Sequence, residues 1–456
     1  MLGKTICAIS TPYGKGGVAV IRISGEDALE IAKRVFIPRK SGELLPRVAY
    51  YGEIKRENDV IDDGILTYFK APHSFTGEDV CEICSHGGLY VTRAVLETVL
   101  SAGAEMAEAG EFTKRAFING RLTLSRAEAI GSVIDAKTDS QLRLSSSMAR
   151  GTLSRRLNEI REKIIAILSR AYATIDYPDE DITDTGREEF EKTLDLVADA
   201  LLKLKKSYRA GRAVAEGISC AIVGKPNAGK SSLYNLIAGK DLAIVTDIAG
   251  TTRDVIENTV ELGGVTLRLA DTAGIRETSD AVEKIGVDRA REKIDESELI
   301  FALFDSSEEA TNEDYRLIDA LLGRDVIAII NKVDKERKMP RELYEKIKST
   351  FENCVEISAN DVGAIDTLGS VLSRIYELGE INLSSDAVVA SARQSSAICV
   401  AYERVISARE ALFNGETPDI VCFSLEEALS SIDMIDGRET SEEIVNEIFS
   451  RFCVGK

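Results

Sequence analysis

The sequence predicts a multidomain α/β protein: an α/β domain with a mixed, mostly parallel sheet, inserted in an α-helical domain and preceded by a separate N-terminal α/β domain. Three observations predict this. The chain has 456 residues, too many for one ordinary hydrophobic core. From Ile218 onward short apolar runs alternate with amphipathic stretches, as in a parallel sheet covered on both faces. On either side of that region the apolar periodicity is helical, without repeats or low-complexity tracts.

The elements follow in order. Val18 to Ile23 reads as a strand, and Glu26 to Val35 as a helix with Asp27 near its start. Asp63 to Phe69 and Asp79 to Cys84 are further strands, and Leu89 to Ser101 is a helix stopped by Gly103. These make an N-terminal domain over 1–118. Residues 119–214 form the first part of the helical domain, with Ile160, Ile164, Ile167 and Leu168 on one face. Tyr177-Pro178-Asp179 interrupts that pattern, because Pro is a poor residue inside a helix. The inserted domain spans 215–378, with strands expected at Ile218 to Val223, Thr266 to Leu269, Leu299 to Phe304, Val326 to Ile330 and Val355 to Ile357. Leu262-Gly263-Gly264-Val265 reads as a tight hairpin turn. Residues 379–456 return to helix and supply the second part of the helical domain.

Composition narrows the class. No run of about 18 uncharged apolar residues exists, so no membrane span is expected. The N-terminus has neither a secretory nor a transit pattern, which points to a cytoplasmic protein. A formal charge of −19 argues against indiscriminate nucleic-acid binding. The average conceals a basic stretch: Lys114 to Arg170 holds twelve basic and five acidic residues, whereas Asp176 to Glu191 and Glu416 to Glu447 are acidic. A charged face is usually a solvated one, yet this stretch is the obvious place for an anionic polymer. The eight cysteines show no disulfide spacing. Cys81 and Cys84 form a CxxC near His86, but residues three apart on a strand face opposite ways, so core thiols are expected rather than a metal or redox site.

The chemistry concentrates in the inserted domain. Gly224-Lys225-Pro226-Asn227-Ala228-Gly229-Lys230-Ser231 matches GxxxxGK[ST] between a strand and a helix. Its glycines let backbone N–H groups wrap phosphates at a helix N-terminus. Lys230 reaches the β- and γ-phosphates, and the Ser231 hydroxyl suits Mg²⁺. Asn331-Lys332-Val333-Asp334 follows a strand, where the Asp334 carboxylate can accept from the ring N–H and amine of guanine. Adenine offers no such pair. Ser358-Ala359-Asn360 fits the loop beside the guanine carbonyl, and Asp271-Thr272-Ala273-Gly274 the γ-phosphate-sensing switch. Thr251 and Thr252 fit the first switch, with Thr252 on Mg²⁺. Together these specify GTP.

How hydrolysis proceeds is left open by the motifs alone. Ile275 stands where Ras-like proteins place a water-orienting Gln. Glu277, Asp280 and Glu283 are the acidic candidates nearby, Arg253 and Arg276 sit in the switches, and a cation held beside the phosphates by Asn227 could neutralise charge.

The chain resembles the MnmE (TrmE) family of bacterial tRNA-modification GTPases along essentially its whole length. The resemblance rests on the terminal Cys453-Val454-Gly455-Lys456, on Ser74 to Asp79, His86-Gly87-Gly88, Gly110 to Phe117, and Thr246 to Asp254. It implies an N-terminal tetrahydrofolate-binding-like domain that drives homodimerisation, and a P-loop GTPase domain activated by potassium. The implied GTP-binding set is Asn227, Ala228, Gly229, Lys230, Ser231, Ser232, Thr246, Thr251, Thr252, Asp271, Thr272, Ala273, Gly274, Asn331, Lys332, Asp334, Ser358, Ala359 and Asn360. Asn227, Thr246, Ile248 and Thr251 are implied as K⁺ contacts, and Glu283 as the catalytic, water-positioning residue.

The resemblance further implies a heterotetramer with the FAD-dependent partner MnmG (GidA). The two act on wobble uridine 34 of certain tRNAs, adding an aminomethyl or carboxymethylaminomethyl group to C5 from methylene-tetrahydrofolate. Arg22, Glu82, Arg121 and Lys456 are the implied contacts for that folate or its 5-formyl form. Cationic groups suit its glutamyl carboxylates, and an acid suits the pterin edge. Cys453 is either a nucleophile, a wall of the folate pocket or a structural thiol. The sequence departs from the family pattern at Ala109, where Pro is usual, and at Ser391-Ala392-Arg393-Gln394, where the family often has a His. The competing reading is a regulatory GTPase of ribosome assembly or membrane processes, which shares the central motifs but not the C-terminal tail.

Overall fold

Alternating burial along Val18–Ser24 and Val80–His86 builds the centre of a seven-stranded sheet in the computed structural model, which describes residues 3–176, 184–239, 258–269 and 294–455. The sheet comprises β1 (Ile6–Ile9), β2 (Val18–Ser24), β3 (Phe36–Pro38), β4 (Ala49–Arg56), β5 (Asp59–Phe69), β6 (Val80–His86) and β7 (Glu105–Met106). Their order is β3-β4-β5-β6-β2-β1-β7, antiparallel except where β7 pairs in parallel with β1. Cys7, Ile21, Ile23, Cys81 and Ile83 point to one face, where helices Ala28–Val35 and Leu89–Ser101 close the core. The period-2 pleat therefore separates the CxxC pair, with Cys81 in this core and Cys84 half-buried on the other face. Among the described residues no cluster of His, Cys, Asp and Glu could hold a metal.

This sheet belongs to a unit formed by Met1–Gly131 with Asp433–Lys456. Its second face carries the polar motifs of the N-terminal sequence. Arg115, on helix Glu111–Ile118, is 3% exposed and pairs with Glu78 at 3.2 Å and Glu111 at 2.8 Å. Ser24 Oγ donates to Glu78 at 2.7 Å and lies 2.8 Å from the Thr76 hydroxyl. Asn119 donates to the Thr76 carbonyl at 2.8 Å. The segments Ser74 to Asp79 and Gly110 to Phe117 thus meet in one polar cluster around Arg115, where a missing partner is costly. The chain's last residues dock here too: Ala109 bridges Val454, and Ser10 Oγ donates to the Gly455 carbonyl at 3.1 Å. Gly455 has φ of 96°, and a Cβ there would lie 2.2 Å from the Ile9 carbonyl oxygen. Only glycine fits.

The second unit, Ser132–Ile432, holds a six-stranded sheet of β8 (Ile218–Gly224), β9 (Asn258–Leu262), β10 (Val265–Leu269), β11 (Leu299–Asp305), β12 (Val326–Asn331) and β13 (Asn353–Glu356). The order is β13-β12-β11-β8-β10-β9, and every pair is parallel except β9–β10. Leu299–Asp305 and Val326–Asn331 are buried throughout, as strands covered on both faces must be. β13 begins two residues before the run expected at Val355, because Asn353 and Cys354 already pair with Ile327 and Ala328. The expected turn forms at Gly263 and Gly264, with φ of 61° and 82°. The Tyr177 to Asp179 interruption lies outside the described residues.

Helices Asp139–Ala149, Thr152–Asp176, Asp184–Ala215 and Ala392–Phe413 form the helical part of this unit. It grips the β9–β10 hairpin through polar contacts. Glu261 accepts from the Ser140 N–H at 3.0 Å and its hydroxyl at 2.7 Å, at the first turn of Asp139–Ala149. Thr266 Oγ donates to the Val214 carbonyl at 2.9 Å. No helix among the described residues is long and apolar enough to cross a membrane.

Replacing Arg115 with Met leaves Glu78 and Glu111 without their shared cation inside the polar cluster. A loss of about 3 kcal/mol is expected, measured as a lower urea midpoint with an unchanged slope.

Candidate functional site

A cavity of about 380 Å³ opens at the carboxyl ends of the parallel strands in the second unit, where open α/β sheets bind ligands. β8 ends at Gly224, and the chain turns through Asn227 (φ 62°) and Gly229 (φ 102°) into helix Lys230–Ala238. Asn227, Gly229, Lys230, Ser231 and Ser232 line one side of the cavity. Ala228 is fully buried beneath the loop. The Lys230 ammonium is held by the carbonyls of Gly224 at 2.8 Å and Lys225 at 2.7 Å. Burial pulls it below its ordinary pKa. A buried cation beside free helix N–H groups is a receptor for phosphate.

Asn331, Lys332, Ser358, Ala359 and Asn360 line the opposite side. The Asn331 amide donates to the Ala228 carbonyl at 2.7 Å and accepts from Ala359 N–H at 2.8 Å. Asp334 is exposed, and a hydrogen bond with Ser358 holds its carboxyl below the usual range. An ionised acceptor at that position is what a guanine edge requires. Thr246, Ile248, Thr251, Thr252, Asp271, Thr272, Ala273, Gly274, Glu283 and Lys456 lie outside the described residues, as do the other water-positioning candidates Glu277 and Asp280.

Three features of this site escaped the motif reading. Lys335 also lines the cavity. Lys332, at φ 62°, is anchored at 2.5 Å to Asp305, whose side chain is inaccessible. Burial pushes that carboxyl up, but hydrogen bonds from Lys332 and Ser307 outweigh it and hold it low. Lys225 pairs with Asp314 at 2.8 Å. Strand register was the available signal for the first anchor, since β11–β12 pairing sets Asp305 opposite Asn331. No sequence spacing announces the second.

In the first unit, Arg22 and Glu82 are register partners on β2 and β6. They pair with each other at 2.8 Å, and the Arg22 guanidinium lies between the rings of Phe75 and Phe112 at 5.6 and 5.7 Å. Exposed Arg121 sets its aliphatic stem against Gly77, two residues from Phe75. Cys453 is exposed, and its carbonyl accepts from Gly110 N–H at 3.4 Å.

Comparison with known proteins places this geometry. The family model described as "GTP-binding protein TrmE N-terminus" matches residues 5–121, and the "MnmE helical domain" model matches residues 124–453. The chain belongs to the MnmE family. Proteins named "tRNA modification GTPase MnmE" from Thermoanaerobacter pseudethanolicus and Clostridioides difficile are each 40% identical over 100% of both chains. The one from Acetivibrio thermocellus is 39% identical over 99% of both. Membership in this family fits the cavity, whose two walls carry phosphate-loop and guanine-type residues.

Replacing Asp334 with Asn removes the acceptor for the guanine N–H groups and offers an amide donor instead. GTP affinity is expected to fall by roughly 10²-fold or more, while xanthosine triphosphate, whose C2 carbonyl accepts from that amide, gains. Competitive displacement of a fluorescent nucleotide measures both.

Proposed function

We propose that this protein hydrolyses GTP to drive modification of tRNA: with an FAD-dependent partner of the MnmG type, it adds an aminomethyl-type group to C5 of wobble uridine 34. One observation carries the reading. The same chain combines a cavity suited to a guanine nucleotide with the Cys453-Val454-Gly455 part of the Cys-Val-Gly-Lys motif, seated in the N-terminal unit by the Gly455–Ile9 fit. A regulatory switch needs the first feature and has no use for the second. The reading includes a cytoplasmic homodimer and the division into 1–118, 119–214, 215–378 and 379–456.

Each site residue takes a stated role. Asn227 to Ser232 wrap the phosphates, with Lys230 released from two carbonyls toward them. Lys332 covers the base from its Asp305 anchor, and Asp334 reads the guanine edge. The Ser231 hydroxyl at the cavity wall suits magnesium, together with Thr252 and Asp271. The Asn227 amide oxygen, held at the same wall, suits potassium, with Thr246, Ile248 and Thr251. Bound there, these cations supply positive charge against the charge developing on the phosphates. Glu283 orients the attacking water. In the first unit Arg22, Glu82, Arg121 and Lys456 bind the tetrahydrofolate that provides the carbon. Pairing of Arg22 with Glu82 pre-positions both groups, and Phe75 offers a flat surface beside them. Cys453 is left as a candidate thiol near that site, its exposure meeting one requirement for reactivity.

For tRNA the basic stretch remains the best surface, though its charge is partly spent. Arg143 pairs with Asp139, Arg156 with Glu159 and Arg170 with Glu189. Exposed Arg150 and Arg155 instead hydrogen-bond to the main-chain carbonyls of Ser384 and Arg150. They are better candidates for phosphate contacts than Arg156.

Deleting the gene is expected to leave wobble uridines unmodified, as read by nucleoside mass spectrometry, and re-expression to restore them. Fully modified uridines in the deletion strain would favour a regulatory GTPase instead. Hydrolysis by the purified protein is expected to be at least about tenfold faster in potassium than in sodium. Equal rates would remove the cation from the scheme.

A further inference from the structure

We propose that Asp314 is a positioning residue for the phosphate loop: through the ammonium of Lys225 it fixes the main-chain carbonyl that holds Lys230. The inference rests on the cavity being a nucleotide phosphate site, and it concerns residues that contact no nucleotide themselves.

Lys225 is the second residue of the loop, and its side chain turns away from the cavity. Its Nζ lies 2.8 Å from Asp314 Oδ2 and 4.0 Å from Glu308. The Lys225 and Asp314 side chains are only 9% and 3% exposed. Asp314 is fixed in turn, because it accepts from the N–H and hydroxyl of Thr311 at 2.8 and 3.0 Å, in the capping box of helix Asn312–Ala320. The peptide on the other side of Lys225 faces inward. Its carbonyl accepts from Lys230 Nζ at 2.7 Å and from Ala228 N–H at 3.2 Å. A rigid chain therefore runs from the helix cap through Asp314, the Lys225 side chain and the Lys225 carbonyl to the ammonium that meets phosphate.

Simple stabilisation accounts poorly for this placement. A buried ion pair is close to neutral against an apolar pair of the same volume, so stability gives little reason to put one here. Geometry gives a reason. Asn227 and Gly229 hold the loop at positive φ, and a strained loop relaxes unless its first residues are held. Displacing the Lys225 carbonyl by 1 Å would displace Lys230 from its phosphate-ready position, an error of the size that costs about 10²-fold in positioned reactions.

The test uses the full-length protein and measures dissociation constants for GDP and guanosine, with the melting temperature of the unliganded protein alongside. Lys225→Met and Asp314→Asn are each expected to weaken GDP binding roughly tenfold, the scale of one charged hydrogen bond. Guanosine, which has no phosphate, is expected to bind within about twofold of wild type. Lys225→Arg, keeping the charge, is expected to recover GDP binding, and the double variant to be no weaker than the weaker single one. Unchanged GDP affinity in Lys225→Met would overturn the proposal. So would equal weakening of GDP and guanosine, which marks general damage to the fold. If wild-type protein fails to bind GDP, the nucleotide reading itself falls. If it binds while the variants match it, only the Asp314 assignment falls.

Discussion

The side-chain amide of Asn331 spans the nucleotide cavity, donating to the Ala228 carbonyl at 2.7 Å and accepting from the Ala359 N–H at 2.8 Å. Both partners are buried main-chain groups, so leaving either unmade is costly. One planar group thereby sets the separation between the Asn227 to Ser232 wall and the Ser358 to Asn360 wall. The constraint propagates. A Cβ at residue 229 would sit 2.2 Å from this amide nitrogen, which makes glycine obligatory there. Gly229 in turn starts the helix whose first turn lines the cavity. Because Asn331 ends a strand paired with β11, Asp305 stands opposite it and anchors Lys332.

The legibility of this molecule in its sequence follows from the range of each interaction. The central strands of the six-stranded sheet could be read because strands buried on both faces are continuous apolar runs, whereas β9 was implied only by the hairpin turn that follows it. The GG hairpin could be read because its turn demands two left-handed residues. In the N-terminal unit β1, β3, β4 and β7 went unread. They are short or, like Ala49–Arg56, mix polar residues into an edge region without clean alternation. The left-handed turns at Asn227, Gly229 and Lys332 fall within motifs that the sequence singled out, because backbone geometry constrains residue types there. The anchors behind them were not legible: Asp305 and Asp314 are ordinary acidic residues until tertiary structure brings Lys332 and Lys225 to them.

A similar distinction applies to the N-terminal motifs. Thr76, Glu78, Glu111 and Arg115 stand in the stretches that carry the family resemblance, and they engage one another and Ser24 in a network centred on buried Arg115. Their exposed neighbours are the groups available to a ligand. Phe75 belongs to both, stacking on Arg22 while keeping part of its ring open to solvent. Support and recognition are thus interleaved residue by residue in the same short segment, and sequence pattern alone cannot separate them.

The docking of Gly455 against Ile9 and Ser10 also bears on how the chain comes into being. The hydroxyl of Ser10 reaches a carbonyl 445 residues further on, and Val445 and Phe449 pack with Leu124 and Ala127 in a single small core. Domains generally acquire their structure in the order in which the ribosome releases them. Here the edge at Ser10, which follows β1 and is made early, obtains its hydrogen bond to the tail only when a residue 445 positions further along has been synthesised. Until then that edge waits open while the intervening unit is made. At about 5–20 residues per second that wait lasts tens of seconds, so closure of the N-terminal unit follows synthesis of the whole intervening unit.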